Sequence, residues 1–520
     1  MSVSSGSLQA SLNVVVRFVQ DYLFLNLFAL VLFWLLATRY RSGLRNVPGP
    51  FVASISNGWK LYAVFKQSMP RLNIDLHKTH GPLVRIGPNH VSISDPEALK
   101  TVYGFTNIYR KSAFYPMGEA YHEGKLLPNL FTTQNNDYHA ALKRVAGNAF
   151  SMSAVAELEP YVNNCVDLFI SQVEEISESG SKAIDISAWL QYFAFDVLGE
   201  INFSRQLGFL KSGSDVENMI AAIDMVLQYV SVIGQVPKLH YFLLGNPLLP
   251  KLVPGFEDAN QILGFSLKMC RERLQNPVER KDILTRLFET HKASPEKLSF
   301  REIVAITTTN IIAGSDTTAI TLRAVLYHLC RNHEIYEKLR AEIAEAEAAN
   351  QLSSPVTYNE AAKLPYLSAI MNEAMRIHPS TGFILERLVP AGGATLCGTH
   401  LPENTVVGVN AWVIHRNTDI FGQDVETFRP ERWIDSSPEE IKMMHRNLFA
   451  FGAGPRICIG KNISLMEMWK IVPEIVRHFD FRLSEPKKEW KIQGLWFVKQ
   501  TEMDMVFTRR ARASVANGTA

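Results

Sequence analysis

The segment Phe451-Gly-Ala-Gly-Pro-Arg-Ile-Cys-Ile-Gly460 surrounds one cysteine with residues that an ordinary buried cysteine does not need. Gly452, Gly454 and Gly460 allow the backbone to approach a neighbouring group closely. Pro455 stiffens the turn, and Arg456, two residues before Cys458, can neutralise an anion there. From Ile459 to Trp469 the sequence reads as helix, which puts the sulfur near a helix N-terminus, where the dipole favours thiolate. A lone cysteine is most often a small buried hydrophobe. In this setting it is a candidate axial ligand, because a thiolate held among backbone N–H groups suits a haem iron.

Composition sets the frame around that segment. The chain has 520 residues, 47% hydrophobic and 20% charged, which suits one large enzyme or two to four ordinary domains and excludes wholesale disorder. A net charge of +2 gives no reason to expect nucleic acid, which calls for a strongly basic domain. The five cysteines, Cys165, Cys270, Cys330, Cys397 and Cys458, are scattered and odd in number, which argues for a reducing compartment rather than a disulfide framework. Leu23 to Ala37 is apolar apart from Asn26. This core is shorter than the ~20 residues of an ideal span, but Val14 to Val19 extends its register, and Tyr22 and Trp34 suit the interfaces. A cleaved signal peptide is the alternative. Against it, no small-x-small cleavage site follows. Arg39, Arg41 and Arg45 do follow, and they outnumber Arg17 on the other side, so the chain beyond residue 38 is expected in the cytoplasm. The expected organisation is a short non-cytoplasmic tail over 1–21, a transmembrane anchor over 22–38, a basic linker with the Pro48-Gly49-Pro50 hinge over 39–50, a folded domain over 51–508 and a disordered tail over 509–520.

Between the ends the pattern is mostly helical. Helical periodicity runs over 139–150, 155–176, 184–202, 215–235, 257–276 and 328–347. Ser299 to Arg331 is a long helix, apolar almost all round, and so expected to be buried. Leu83-Val-Arg-Ile86 and His90-Val-Ser-Ile93 flank Gly87-Pro88-Asn89 as a β-hairpin. The region 382–412 carries short β-like pieces broken by glycine and proline.

The cysteine segment resembles the haem loop of cytochrome P450 enzymes, Phe-x-x-Gly-x-Arg-x-Cys-x-Gly. Phe451, Gly454, Arg456, Cys458 and Gly460 occupy each of its specified positions. From average residue usage, five such positions coincide by chance in about one chain of this length in ten thousand, or fewer. The resemblance spans roughly residues 48–508. It implies a cytochrome P450 fold, mainly α with small β-sheets (α+β), behind the transmembrane helix, and a haem b with Cys458 as axial thiolate. The N-terminal part is also similar to the pisatin-demethylase-like fungal subgroup, through Gly81-Pro-Leu-Val-Arg-Ile-Gly-Pro-Asn89, Tyr109-Arg-Lys-Ser112, Phe114-Tyr-Pro116 and His139 leading to Ala149-Phe-Ser-Met152.

The resemblance implies further motifs in a set order. Glu373-Ala-Met-Arg376 supplies a Glu-x-x-Arg pair on one face of a helix over Leu364 to His378. Glu337–Arg340 and Glu426–Arg429 match the same pattern and read as solvated pairs, so only position in the chain selects Glu373. Arg432, in Phe428-Arg-Pro-Glu-Arg-Trp433, would complete a buried structural cluster bracing the haem loop. Ala313-Gly-Ser-Asp-Thr-Thr318 puts a polar run on the long apolar helix, which needs a reason. Ser and Thr bonding back to their own helix is one. The family's reason is oxygen activation: Ala313 and Gly314 bordering the pocket, Gly314 leaving room over the iron and loosening the helix, Thr317 bonding the oxygen ligand and Asp316 relaying protons. Haem propionates need cations, and Arg456 and Arg387 stand where the family places them. His139 and Lys143, four apart on one helix face, replace the more usual Trp and Arg; a surface role for Lys143 and Arg144 is the alternative.

The family fold would line the substrate pocket with segments near 110–135, 205–250, 306–317, Ser380–Leu385 and Gly494–Val498. Phe383, Ile384, Leu385, Leu495, Trp496 and Phe497 are apolar there, either ordinary core or the wall of a site for a lipophilic small molecule; Ser380 and Thr381 could orient an oxygenated end. No Gly-x-Gly-x-x-Gly stands between a strand and a helix, so electrons are expected from a separate NADPH-cytochrome P450 reductase, with cytochrome b5 as a further donor, docking near Lys461, Lys470 and Arg144. The implied enzyme is a monomeric monooxygenase of fungal secondary metabolism in the endoplasmic reticulum membrane, with its catalytic domain cytoplasmic. The alternatives are a non-oxygenating haem-thiolate isomerase or dehydratase, a haem sensor or carrier, and a zinc protein built on His328, Cys330 and His333, which lacks a second ligand pair at zinc spacing.

Overall fold

The computed structural model describes residues 5–41, 43–106, 109–178, 183–252 and 260–510. The first four residues of the expected N-terminal tail and all but Arg509 and Arg510 of the expected C-terminal tail lie outside the described residues.

The architecture is organised around the helix Phe300–Arg331, 32 residues long. Ser299 caps it: its hydroxyl accepts from the Glu302 N–H while the Glu302 carboxylate accepts from the Ser299 N–H. Ile303, Val304, Ile306, Ile311, Ile320, Leu322, Val325 and Leu326 point to different sides and all are buried, because other helices cover this one around most of its circumference. The closest partner is Ile186–Phe203, likewise apolar on every side and buried along most of its length. Most hydroxyls on the central helix are satisfied within it: Thr307, Thr308, Thr309 and Thr317 each donate to the carbonyl four residues back at 2.8 Å.

The other expected helices are present with shifted ends. They run Asn136–Ala146, Glu159–Glu178, Ile186–Phe203, Met219–Ile233 and Gln261–Gln275. The single helix expected over 328–347 is a correction. The chain breaks at Asn332 (φ −132°, ψ 82°), the central helix ends at Arg331, and a second helix runs His333–Ala348. Periodicity missed the break because both helices keep an apolar face on the same core.

Five short strands form the main sheet in the order Leu83–Gly87, His90–Ile93, Val406–Val409, Arg387–Leu388 and Arg110–Lys111. The first two make the expected antiparallel hairpin. The last pairing sets Lys111 directly opposite Arg387, which bears on the site below. A separate hairpin, Lys491–Gly494 with Val498–Thr501, carries Leu495, Trp496 and Phe497 in its turn.

At the N-terminus, Ser5–Asp21 and Leu23–Arg41 are helical on either side of Tyr22. Most of the stretch before the expected anchor is thus helix. Leu23–Tyr40 is long and apolar enough to cross a membrane and has no buried residue. Phe24, Phe28 and Phe33 are exposed, the surface a bilayer would cover.

The central helix generates one prediction. Ser299→Ala removes the acceptor of the Glu302 N–H and is expected to cost about 1 kcal/mol, read as a lowered unfolding midpoint with unchanged cofactor spectrum.

Candidate functional site

The loop around Cys458 is built by backbone geometry. Gly452 and Gly454 have positive φ, and a Cβ at Gly454 would lie 1.7 Å from the Tyr103 carbonyl oxygen. No other residue fits at Gly454. The Cys458 N–H donates to the Phe451 carbonyl at 3.0 Å, and the helix Lys461–His478 starts three residues beyond the cysteine, with Gly460 at its N-cap. Cys458 is accessible although protein surrounds it, as befits the wall of an interior cleft. Burial pushes its thiol up, while the N–H groups of Gly460 and Lys461 and the ammonium groups of Lys143 and Lys461 pull toward thiolate.

Behind the loop lies a fully buried carboxylate. Glu373, on the helix Pro365–Ile377, receives Arg376 in bidentate fashion at 2.8 and 2.9 Å. Arg432 Nε donates at 3.0 Å, Trp433 Nε1 at 2.9 Å and the Arg429 N–H at 2.9 Å. Burial alone would raise its pKa, but these partners hold it below the usual carboxylate value. Both arginines also donate to backbone carbonyls, Arg376 to His415 and Val425, Arg432 to Phe421 and Asp424. His415 carries the brace to the cysteine loop: its Nδ1 meets the Arg376 carbonyl at 3.0 Å and its Nε2 accepts from the Phe449 N–H at 2.7 Å. Phe449 can only donate, so Nε2 is the acceptor and Nδ1 carries the proton. His415 was invisible in the sequence, where no spacing links it to Phe449. The lookalike motifs differ in kind. Glu337 and Arg340 pair at 2.7 Å near the surface, whereas Glu426 pairs with Arg416 and Arg429 with Asp424, which corrects their reading as one pair.

Beside the loop the structure gathers basic groups without anions. Lys111, Arg387 and His139 are buried, and Arg456 and Lys143 are partly buried. None has a carboxylate within ion-pair distance among the described residues. Arg456 Nη2 meets Asn136 at 2.9 Å, but its buried Nη1 has no hydrogen-bond partner. Lys111 donates to the Phe131 carbonyl and sits 4.1 Å over the Tyr115 ring. Burial, then Arg387 and Arg456, depress its proton affinity strongly. Burial and the surrounding cations push His139 down to about 3, and Arg456 to about 10. The nearby Glu386 does not compensate them: it is engaged by His90 at 3.2 Å and by Ser112, with Lys60 3.9 Å away. Like charges facing each other across a sheet are unfavourable. Such a cluster needs a dianion, and haem propionates beside an accessible thiol fit both requirements. Lys111, not anticipated as a site residue, belongs to this set; only its pairing with Arg387 reveals it. Lys143 departs from the expectation. It donates to the Pro455 carbonyl at 2.7 Å, on the cysteine loop itself.

On the central helix, Ala313 is exposed, and Asn310, Ile312, Gly314 and Thr317 are only partly buried. Positions 310, 313 and 317 share one face, so that face borders open space within the protein. Asp316 points elsewhere. It is fully buried, accepts from Gln191 Nε2 and pairs with Lys499 at 2.9 Å; Lys499 also meets Asp224. Burial raises its pKa, with Lys499 opposing. Gly314 is a correction. A Cβ there would meet the Leu198 side chain at 2.8 Å, so glycine serves close packing against Ile186–Phe203, and the helix runs unbroken through it.

Among the expected lining residues, Phe383 and Trp496 join an aromatic group with Phe114, Tyr115 and Phe131. Trp496 stacks on Phe114 at 5.0 Å and meets Phe383 edge-on at 5.9 Å. Phe497 bridges to Thr381, and Leu385 lies between the two main hydrophobic clusters. Ile384 is a correction: it packs with Leu76, Val84 and Ile86 on the other side of its strand-like segment, as alternation requires. Lys470 is another. It is wholly buried and paired with Glu159 at 2.8 Å, so it cannot meet a docking partner; Arg144 is exposed and Lys461 partly so.

Residues 48–506 match the family model described as Cytochrome P450, and the chain belongs to the cytochrome P450 family. Its relatives include the cytochrome P450 monooxygenase cicH of Emericella nidulans, 38% identical over 88% of this chain and 93% of that one. The monooxygenase gsfF of Penicillium aethiopicum is 34% identical over 93% and 97%, and a pisatin demethylase of Fusarium vanettenii 35% identical over 92% of each. The chain is accordingly a cytochrome P450 monooxygenase of fungal type, similar to the pisatin-demethylase subgroup, with the cytochrome P450 fold and a family requirement for haem iron held by a thiolate.

Removing one partner of the buried cluster leaves charges uncompensated, at a cost of about 3–5 kcal/mol. Glu373→Ala is therefore expected to abolish haem incorporation, measured as the haem-to-protein ratio of the purified protein; a wild-type ratio would refute the bracing role. Because Glu373 is held below its ordinary value, the cluster's contribution is complete above that value and is lost as pH falls through the folded-state value.

Proposed function

We propose that this enzyme hydroxylates or otherwise oxidises a lipophilic small molecule of fungal secondary metabolism, using dioxygen and electrons from a separate NADPH-cytochrome P450 reductase, with cytochrome b5 as a second donor. The observation that carries this reading is the coincidence, at one site, of an accessible cysteine, a set of buried cations lacking anions, and an aromatic wall. The protein acts as a monomer on the endoplasmic reticulum membrane. Its anchor over 22–38, with arginines following, leaves the catalytic domain in the cytoplasm.

Haem b, when bound, supplies reductive activation of dioxygen and insertion of one oxygen atom into the substrate. Cys458 donates to its iron; Arg456, Arg387, His139 and Lys111 hold its propionates; Phe451, Gly454 and Gly460 shape the loop; Glu373, Arg376 and Arg432 brace it. Thr317 donates to the Ala313 carbonyl and can turn that hydroxyl toward the open face to hold and pass a proton. Asp316 places a carboxyl group one residue away, and its connection to the half-exposed Asp224 through Lys499 supports proton exchange with the surface. Phe383, Leu385, Trp496, Phe497 and Ala313 exclude water and favour an apolar ligand; Gly314 acts through packing.

The first test is the reduced carbon-monoxide difference spectrum of the protein in microsomes, where absence of the red-shifted thiolate band would sink the proposal. An untargeted search for NADPH-dependent products with reductase present then identifies the substrate. An isomerase or dehydratase would show the band without consuming dioxygen. Thr317→Ala is expected to keep the band and uncouple dioxygen consumption from product; full coupling in that variant would remove Thr317 from proton delivery.

A further inference from the structure

Lys143 lies in the last turn of the helix Asn136–Ala146. His139 stands four residues earlier on the same face and points into the cation cluster, where Arg456, Lys111, Lys143 and Arg387 all act against its protonation. Lys143 takes a different partner. Its Nζ donates to the Pro455 carbonyl at 2.7 Å, within the turn Gly454–Arg456. That turn is closed by the Ile457 N–H on the Gly454 carbonyl at 3.1 Å and followed by the Cys458 N–H on the Phe451 carbonyl at 3.0 Å. One face of one helix thus supplies two basic groups to two different destinations.

We propose that Lys143 is a positioning residue for the sulfur ligand, fixing the loop through Pro455 and placing a positive charge beside the Cys458 thiolate, rather than a partner of the propionates. Three observations support this. The hydrogen bond is to the loop backbone, three residues before the cysteine. Lys143 Nζ already has a backbone acceptor, whereas the buried Nη1 of Arg456 has no hydrogen-bond partner among the described residues. The turn that this bond holds, Gly454–Arg456, runs directly into Cys458, so the ammonium is anchored on the short loop that carries the sulfur. A half-buried ammonium is screened less than a surface one. It withdraws charge from the sulfur and stabilises the more negative, reduced form of a haem-thiolate pair, so it raises the midpoint potential and weakens the thiolate's donation. Arginine, the more usual family residue here, is planar and suited to a bidentate carboxylate. Lysine is a point charge suited to a single carbonyl.

This inference rests on the haem-thiolate reading, and its test separates the two. If the wild-type protein lacks the red-shifted carbon-monoxide band, that reading fails and Lys143 is not at issue. With the band present, Lys143→Gln and Lys143→Arg are compared in the intact haem protein. Lys143→Gln keeps a donor for Pro455 but removes the charge. It is expected to move the midpoint potential to more negative values and the iron–sulfur stretching frequency upward, with the propionate modes of the resonance Raman spectrum unchanged. Lys143→Arg is expected to stay near wild type in both. Altered propionate modes with an unchanged iron–sulfur frequency overturn the proposal, as does a Lys143→Gln protein that is less stable but has wild-type potential and frequency. Should Lys143→Gln fail to retain haem, Lys143→Arg decides: haem retained at wild-type frequency supports the proposal, and haem lost overturns it.

Discussion

A carboxylate removed from water has to be matched by donors at every lone pair it loses, and the cysteine loop depends on how Glu373 is matched. Its two oxygens receive Arg376, Arg432, Trp433 and the Arg429 N–H. An isolated buried ion is expensive, and even a pair rarely repays its desolvation unless the remaining donors are used as well. Here they are used: each guanidinium spends its remaining N–H groups on carbonyls of the segment between His415 and Thr427. The carboxylate therefore orders a stretch of irregular backbone that has no ladder of its own. Through His415 that order reaches Phe449, and from Phe449 to Cys458 the chain follows glycine-determined turns.

The second constraint is an excess rather than a balance. The main sheet sets Lys111 opposite Arg387, and the haem loop and the neighbouring helix add Arg456 and His139. The fold holds these groups together although they repel, and burial first, then the neighbouring cations, lowers their proton affinities. An arrangement of this kind is complete only with an anion, so folding of the loop and binding of the cofactor are energetically one process. Lys143 flanks the cluster but has a partner of its own. Its bond to Pro455 makes it part of the loop's own support.

The motifs consist of residues close in sequence, and there they are legible. The haem loop, the capped central helix and the hairpin over 83–93 each depend on local rules: positive φ at glycine, a capping box, alternation across a turn. The partnerships were legible only in part. Glu373 and Arg376 are three apart, but nothing local separates them from Glu426 and Arg429, whose real partners are Arg416 and Asp424. Gly314 read as space beside a ligand and proved to be space for Leu198. Lys470 read as a surface charge because lysine usually is one; Glu159, over three hundred residues away, buries it.

The sequence by itself determined the family, the identity of the thiol, the long apolar helix and the hydrophobic N-terminal segment, since each is encoded in residue type and short spacing. Only the tertiary structure decided that Lys111 joins Arg387, that His415 links the Glu373 cluster to the loop, that Asp316 turns to Lys499, and that Lys143 supports Pro455. The physical reason is the same in each case: the neighbour of a buried polar group is set by helix packing and strand pairing between segments distant in the chain.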